Sequence, residues 1–532
     1  MFHSRREFVG RLMSGGLATS LLRAQKRPAR VTVDAGRSRA DLDRRLLGSF
    51  LEHLGRAIYQ GVYEPGSPLA DGNGFRKDVV EEIRQLGVPL VRYPGGNFVS
   101  GYNWLDGVGP QKDRPRVLDR AWNSSETNQF GTNEFIAWCR LVGTEPLLAA
   151  NLGTGTPESA AALVEYCNVE KGTRWSDLRR QHGVAPPHNV KYWCLGNEMD
   201  GRWQIGHMTA VEYGRKAADA ARQMRNVDRS VQLIACGSSG PTMATYLEWD
   251  RQVLEECYPD VDAISLHRYF RNADDDASRY LALNLEMERQ IEEVTAVCDY
   301  VRGRLRSPKR LWLSFDEWNV WYRARGGNGQ RQEAPRLLEE VYNLEDALLV
   351  GGTINTLLRQ ARRVRVACLA QLVNVIAPLM TSATQVLRQT IYYPYAWALK
   401  GARGRVLDLA VESETYTLPR PAGGPPFQGP PAEPVPFLDV AGTTDPRSGE
   451  CCLLVLNRDV QAERELDLAW HDVNPTRVLA CETLTGPDLK ATNTFEQPRR
   501  VIPQPLPPPS PGSKMTWRVP PRSYNILHLT TA

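Results

Sequence analysis

Apolar positions along this chain fall into two regimes. Between residue 46 and about residue 400, short near-continuous apolar runs are separated by longer stretches with helical periodicity. Past residue 400 the runs are shorter, alternate apolar with polar residues, and lie among prolines and glycines.

The first regime holds eight apolar runs: Leu46–Phe50, Val88–Tyr93, Glu145–Asn151, Val190–Asn197, Val231–Gly237, Val261–His267, Arg310–Asp316 and Val366–Asn374. The intervening stretches Thr132–Val142, Pro157–Val169, Thr209–Arg225, Tyr246–Glu256, Tyr280–Arg304, Ala334–Leu358 and Thr384–Leu399 repeat apolar residues at helical spacing behind capping residues. Strands without a polar face are buried on both sides, so they predict a parallel sheet covered by helices. Eight such units over residues 46–400 predict a closed (β/α)8 TIM barrel.

The second regime, residues 401–532, carries the runs Val406–Val411, Cys452–Leu456, Arg464–Leu468, Arg477–Leu479 and Tyr524–Leu529. Single-residue alternation between turn-forming segments predicts an antiparallel β-sandwich of jelly-roll kind, with the proline tracts Pro419–Pro436 and Pro503–Ser513 as loops. The run Arg30–Ala35, within a 30–45 segment, is expected to complete the edge of that sandwich.

Composition fits this two-domain reading. A chain of 532 residues exceeds what one core organises, and 42% hydrophobic with 24% charged residues is ordinary for a soluble protein. No run of 18 apolar residues is present, which argues against a membrane-spanning helix. The formal charge of +4 comes from the first thirty residues; the remainder has 58 basic and 60 acidic residues and shows no nucleic-acid footprint. Within residues 1–29, Ser4–Gly10 (SRREFVG) followed by the weakly apolar Leu12–Leu22 resembles a twin-arginine export signal, so a periplasmic or secreted protein is expected. No clean Ala-x-Ala cleavage triplet follows it. The ten cysteines show no Cys-x-x-Cys pairing and lie mainly in apolar segments, which predicts free buried thiols and no bound metal or cofactor.

One segment imitates a nucleotide site. In Leu147–Val164, Gly153 and Gly155 open a helix after a strand, but Glu158 stands where a third glycine is needed, and its charge would repel a pyrophosphate. It reads as a strand-to-helix turn.

The candidate chemistry lies in Trp193–Gly201 (WCLGNEMDG) and Leu311–Tyr322 (LWLSFDEWNVWY), where apolar runs give out on Glu198 and Glu317. A carboxylate at the end of a barrel strand is rigidly held yet open to a ligand, and two of them suit an acid and a nucleophile. Either glutamate alone reads better as a solvated strand end, so the case rests on the rest of the chain. Trp193, Met199 and Trp203 surround Glu198 with apolar groups that raise a carboxyl pKa, as a general acid requires. Strand alternation predicts that Asp316 and Glu317 point to opposite sides, so that one faces the site. Glu52 and His53, Arg92 and Asn97, Asn197, His267 and Tyr269, and Gln371 occupy other strand ends, and Trp104, Trp122 and Trp321 offer flat faces for a sugar ring.

Taken together, Leu51–Tyr63, Val91–Phe98 (VRYPGGNF), Ala121–Phe135, Trp193–Gly206, Ile264–Tyr269 (ISLHRY), Phe315–Tyr322 and Leu369–Met380 resemble the α-L-arabinofuranosidases of glycoside hydrolase family fifty-one. The resemblance implies a retaining, exo-acting hydrolase of terminal α-L-arabinofuranosyl residues on oligosaccharides and polysaccharides such as arabinan and arabinoxylan. It implies Glu198 as acid/base, Glu317 as nucleophile, and Glu52, Arg92, Asn97, Trp122, Asn197, His267, Tyr269, Trp321 and Gln371 as substrate contacts. It also implies a homo-oligomer, a hexamer in the family pattern. A retaining mechanism requires carboxyl groups about 5 to 5.5 Å apart. The alternatives are a β-xylosidase or endo-β-glucanase activity on the same barrel, and a non-catalytic carbohydrate-binding protein.

Overall fold

The computed structural model describes residues 28–323, 331–418 and 434–532. Eight parallel strands close into a barrel: β1 (Gly48–Phe50), β2 (Leu90–Tyr93), β3 (Glu145–Ala150), β4 (Tyr192–Leu195), β5 (Gln232–Ala235), β6 (Ala263–Phe270), β7 (Trp312–Val320) and β8 (Val364–Ala370). β8 pairs with β1 through Cys368–Gly48, Leu369–Ser49 and Ala370–Phe50 and closes the ring. Every residue of β2, β4 and β7 is buried, which is why these strands carry no polar alternation.

Helices cover the outside, and their starts are written in side chains. Thr156 accepts the Ser159 N–H ahead of Pro157 at the start of Pro157–Asn168, and Thr209 with Glu212 forms a capping box for Ala210–Val227. The helix expected from Ala334 begins instead at Leu344, where Asn343 and Asp346 make the capping box. Pro335 disfavours helical backbone at Ala334, and Ala334 and Leu338 both take positive φ, so the preceding stretch is irregular.

The C-terminal part is a sandwich of two sheets. The four-stranded sheet runs Ala410–Glu412, Ala29–Asp34, Arg464–His471, Lys514–Val519. The seven-stranded sheet runs Ser38–Asp41, Arg405–Leu407, Leu438–Asp445, Glu450–Asn457, Ser523–Thr531, Pro475–Leu484, Gln504–Pro505. Val31, Val33, Leu453, Val455, Leu466, Leu468, Trp517 and Leu527 fill the space between them. The N-terminal strand was expected at an edge but lies inside its sheet, parallel to Arg464–His471 and antiparallel to Ala410–Glu412. A strand remote in sequence from its neighbours has no hairpin to fix its direction and can pair either way. Of the two proline tracts, residues 419–433 lie outside the described residues, as does the leader through residue 27.

The two sheets differ in what they face. Arg464–His471 alternates buried and more exposed positions, whereas Glu450–Asn457 is buried from Cys451 onward. The second face of the seven-stranded sheet, with Cys452, Leu454, Leu456, Tyr524 and Ile526, joins the barrel's hydrophobic core. The helices Leu344–Arg359 and Tyr392–Gly401 meet it closely: a Cβ on Gly351 would stand 2.5 Å from the Tyr524 ring, and one on Gly401 2.6 Å from Cys452 Sγ. Within this apolar contact Asp439 accepts from Arg359 and Arg458, each at 2.6 Å, and from Asn284 at 2.9 Å. Burial would raise the Asp439 pKa, but the two guanidinium groups hold it well below the ordinary carboxylate range.

Candidate active site

β7 decides the layout of the barrel mouth. Between the pairs Ser265–Ser314 and His267–Glu317 the strand β7 spends three residues against two on β6, and between Phe315–Ala367 and Trp318–Leu369 it again spends three against two on β8. One extra residue in β7, a bulge at Asp316, suspends the alternation there. Asp316 and Glu317 both turn into the barrel, which corrects the expectation that one of them faces away. Asp316 meets His267 Nε2 at 3.2 Å, while Glu317 accepts from Arg92 Nη1 at 2.7 Å and from the Tyr269 hydroxyl at 2.8 Å. The strand continues past Glu317 to Val320, so this glutamate is held inside regular structure.

Glu198 is placed differently. β4 stops at Leu195, and Glu198 sits in the following loop at φ +44, a left-handed backbone that L residues rarely adopt. Its Oε1 faces His267 Nδ1 at 2.9 Å, and its Oε2 accepts from the Trp203 indole at 2.8 Å. Burial raises its pKa, and the Glu317 charge adds to this, against the lowering hydrogen bond to His267. Glu198, His267 and Glu317 each present a donor or acceptor atom within 4.8 Å of the others. The guanidinium of Arg92 faces this cluster.

The other expected residues join the same network. Arg92 is buried in β2 beneath the Phe50 ring and donates its Nη2 to Asn197 Oδ1 at 2.7 Å, and the Asn197 amide approaches Asn97 Oδ1 at 3.4 Å. Glu52 follows β1 and accepts the Phe98 N–H and the Trp122 indole at 2.9 and 3.0 Å, while its own N–H donates to Gln371 Oε1 at 2.9 Å. Gly96 is required there, since a Cβ on it would stand 2.5 Å from Glu52 Oε2. Trp321 follows β7 with its ring edge-on to Tyr269 at 5.2 Å.

Two residues named in the sequence face elsewhere. Trp104 is buried against Tyr166 and Trp175, on the helices Pro157–Asn168 and Arg174–Gln181, and offers no face to a sugar. His53 bridges Glu126 at 2.8 Å and the Tyr93 hydroxyl at 2.7 Å, tying the hairpin that carries Trp122 to the end of β1. Trp203, expected only as an apolar neighbour of Glu198, is 54% exposed and bonds directly to it. Its place five residues after Glu198, in a segment rich in turn-forming residues, was the available signal.

Burial pushes Glu52 up to about 8, with the Glu317 charge adding to it, so the folded protein keeps a proton that the unfolded chain sheds above about pH 4.5. This contribution to stability is complete below that pH and is lost as pH rises to about 8, where it levels off. Glu52→Gln removes the titrating group. Its melting temperature is expected to fall less than the wild type's between about pH 5 and 8, by about a few degrees. Parallel melting curves across that range would contradict the assignment.

A (β/α)8 barrel with two carboxylates this close at its carboxyl-terminal mouth, one gripped by a guanidinium and one in a buried loop, has the arrangement that a retaining glycoside hydrolase requires. Comparison with known proteins narrows the class. The α-L-arabinofuranosidase C-terminal domain family matches residues 316–523, and the α-L-arabinofuranosidase 1 domain family matches residues 82–284. An intracellular exo-α-(1→5)-L-arabinofuranosidase of Halalkalibacterium halodurans is 48% identical over 87% of this chain and 92% of its own length. One of the same description from Bacillus subtilis is 45% identical over 94% and 99%. A solved family 51 α-L-arabinofuranosidase from Bifidobacterium longum superposes with a TM-score of 0.88 at 39% identity, covering 94% of this chain and all of that one. The chain belongs to glycoside hydrolase family 51, the α-L-arabinofuranosidases.

These relatives also correct the expectation of export. Both bacterial enzymes are described as intracellular, although the chain matches them over most of their length. Two arginines ahead of a weakly apolar stretch without a cleavage triplet are a weak pattern, shared by basic segments with no export role. Among the described residues no helix is long and apolar enough to cross a membrane.

Proposed function

We propose that this protein removes terminal non-reducing α-L-arabinofuranosyl residues from arabinose-containing oligosaccharides and polysaccharides, with retention of configuration. The observation that carries the reading is the closeness of Glu198 and Glu317, each with an oxygen within 4.8 Å of the other, as the short carboxyl separation of retaining enzymes requires. Glu198 protonates the glycosidic oxygen as Glu317 attacks the anomeric carbon, giving an arabinofuranosyl ester on Glu317. Glu198, now ionised, takes a proton from water, which attacks the anomeric carbon and releases arabinose. Arg92 and Tyr269 fix the two oxygens of Glu317, so one of these bonds yields as the ester forms. Asn197, Asn97, Glu52 and Gln371 supply polar contacts for the furanose hydroxyls, with Trp122 and Trp321 as walls. Trp203 is placed to meet the leaving sugar, since it is exposed and touches the proton-carrying carboxyl. The family resemblance supports a homo-oligomer, a hexamer, to be weighed by sedimentation.

The test is hydrolysis of an aryl α-L-arabinofuranoside beside the aryl β-xyloside and β-glucoside, with the product anomer followed by proton NMR. Preference for the arabinofuranoside by about 100-fold or more, with the α-anomer formed first, is expected. An equal or greater rate on the β-xyloside, or the β-anomer as first product, would overturn the reading.

A further inference from the structure

The bulge in β7 brings a second buried carboxylate beneath the reacting pair. Asp316 is 1% exposed and three donors converge on it: His267 Nε2 at 3.2 Å, Cys194 Sγ at 3.2 Å, and Arg92 Nε at 3.6 Å. Its own burial keeps it from touching a substrate directly. On the other side of the imidazole, His267 Nδ1 lies 2.9 Å from Glu198 Oε1 and 3.6 Å from Glu317 Oε2. A neutral imidazole can donate through one nitrogen, yet His267 has a carboxylate oxygen at both. The titratable and charged groups around it are Arg92 on β2, Cys194 on β4, Glu198 beyond β4, Tyr269 on β6 itself, Asp316 and Glu317 on β7, and Glu52 beside Glu317.

We infer that Asp316 is a positioning residue, which holds His267 as a doubly protonated donor so that the working proton of the reaction resides on Oε2 of Glu198, the oxygen turned away from the imidazole. The inference rests on the acid/base reading of Glu198 and adds a second layer to it. With Nδ1–H fixed on Oε1, Oε2 carries the proton exchanged with the leaving oxygen and then with water, while its remaining lone pair accepts the Trp203 indole at 2.8 Å. If His267 were neutral, its Nδ1 would accept the Glu198 proton and withdraw it from the glycosidic bond. The charge of Asp316 matters most once Glu317 is esterified, when the imidazolium loses one of its neighbouring anions. The imidazolium is favoured in the resting enzyme, because Glu317, Asp316 and Glu198 together outweigh its burial.

Asp316→Asn keeps the shape and an acceptor for Nε2 but removes the charge. The experiment follows the ring nitrogens of His267 in full-length protein labelled with 15N-histidine, assigned by the signal lost in His267→Gln. It is paired with the pH profile of kcat/KM on an aryl α-L-arabinofuranoside. In the wild type both ring nitrogens are expected to stay protonated from about pH 6 to 8; in Asp316→Asn the ring loses a proton within that range. The alkaline limb of the profile moves to lower pH by about one unit or more, because removing a nearby anion makes every proton of the coupled cluster easier to lose. A neutral His267 in the wild type at about pH 7 would overturn the proposal without any variant. So would a folded Asp316→Asn that is slower but keeps both the charged ring and the unmoved limb, the behaviour of a purely structural residue. If the ring responds as expected while Glu198→Ala shows no dependence on the leaving group, the acid/base reading fails and the lock on His267 stands.

Discussion

Glu317→Gln is expected to lower kcat/KM by about 10⁴-fold or more, on the order of 5 kcal/mol of transition-state stabilisation. The amide is close in shape, so the furanose pocket should still form. What it loses is the electron pair that forms the ester. It also turns one acceptor into a donor facing Arg92 or the Tyr269 hydroxyl, the two groups that fix Glu317 at 2.7 and 2.8 Å. Arg92 remains charged, with Asp316 3.6 Å from its Nε as remaining counter-ion, so the variant is expected to fold. Glu317→Ala opens space for azide, which attacks from the vacated face and gives a product of inverted configuration. Turnover of Glu317→Gln near the wild-type rate, or azide product of retained configuration from Glu317→Ala, would remove the nucleophile from this position.

Glu198→Ala should behave differently, because this carboxyl works in both steps. With a poor leaving group such as a sugar, loss of protonation costs about 10²- to 10⁴-fold. With a dinitrophenolate, which leaves without help, the first step is spared, the second slows, and the glycosyl enzyme accumulates. Azide then replaces the water that Glu198 no longer activates, and the configuration is retained. The alkaline limb of the wild-type profile, set by the raised pKa of Glu198, disappears with the side chain. A loss independent of the leaving group, with no effect of azide, would refute the role. The two variants together distinguish the carboxylates by stereochemistry, which a general loss of stability cannot mimic.

The barrel was legible because its strands are buried on both faces, and burial writes itself into sequence as unbroken apolar runs. Helix ends were legible where a side chain makes the cap, as at Thr156 and Thr209, and were lost where a proline-led irregular stretch imitates helical spacing before Asn343. The seven-stranded sheet was read more poorly, since Leu438–Asp445 is buried throughout and shows no alternation to find. At the site, strand ends located the clustered polar residues, while their roles came from the resemblance and not from spacing. Neither route could foresee the orientation of Asp316. The pairing of β7 with two neighbours at once creates the bulge, and a pattern with period two contains no mark of an added residue. Trp104 misled for a related reason: an aromatic near a strand end is recognisable, but which layer it faces depends on helices more than fifty residues further along the chain.

The central strands of the seven-stranded sheet, Leu438–Asp445, Glu450–Asn457 and Ser523–Thr531, have no outer side: one face closes the sandwich and the other lies against barrel helices cut back to glycine at Gly351 and Gly401. Such a pair of surfaces must fit each other closely. A recombinant that exchanged only the C-terminal strands with a distant relative would bring an ill-fitting face against helices shaped for Tyr524 and Cys452. A crossover that spares this junction must fall before the helix Leu344–Arg359, and the matched C-terminal family begins at residue 316, within β7. Glu317 thus lies in the segment that is continuous with the sandwich and Glu198 in the other matched segment, so the active site is assembled from both.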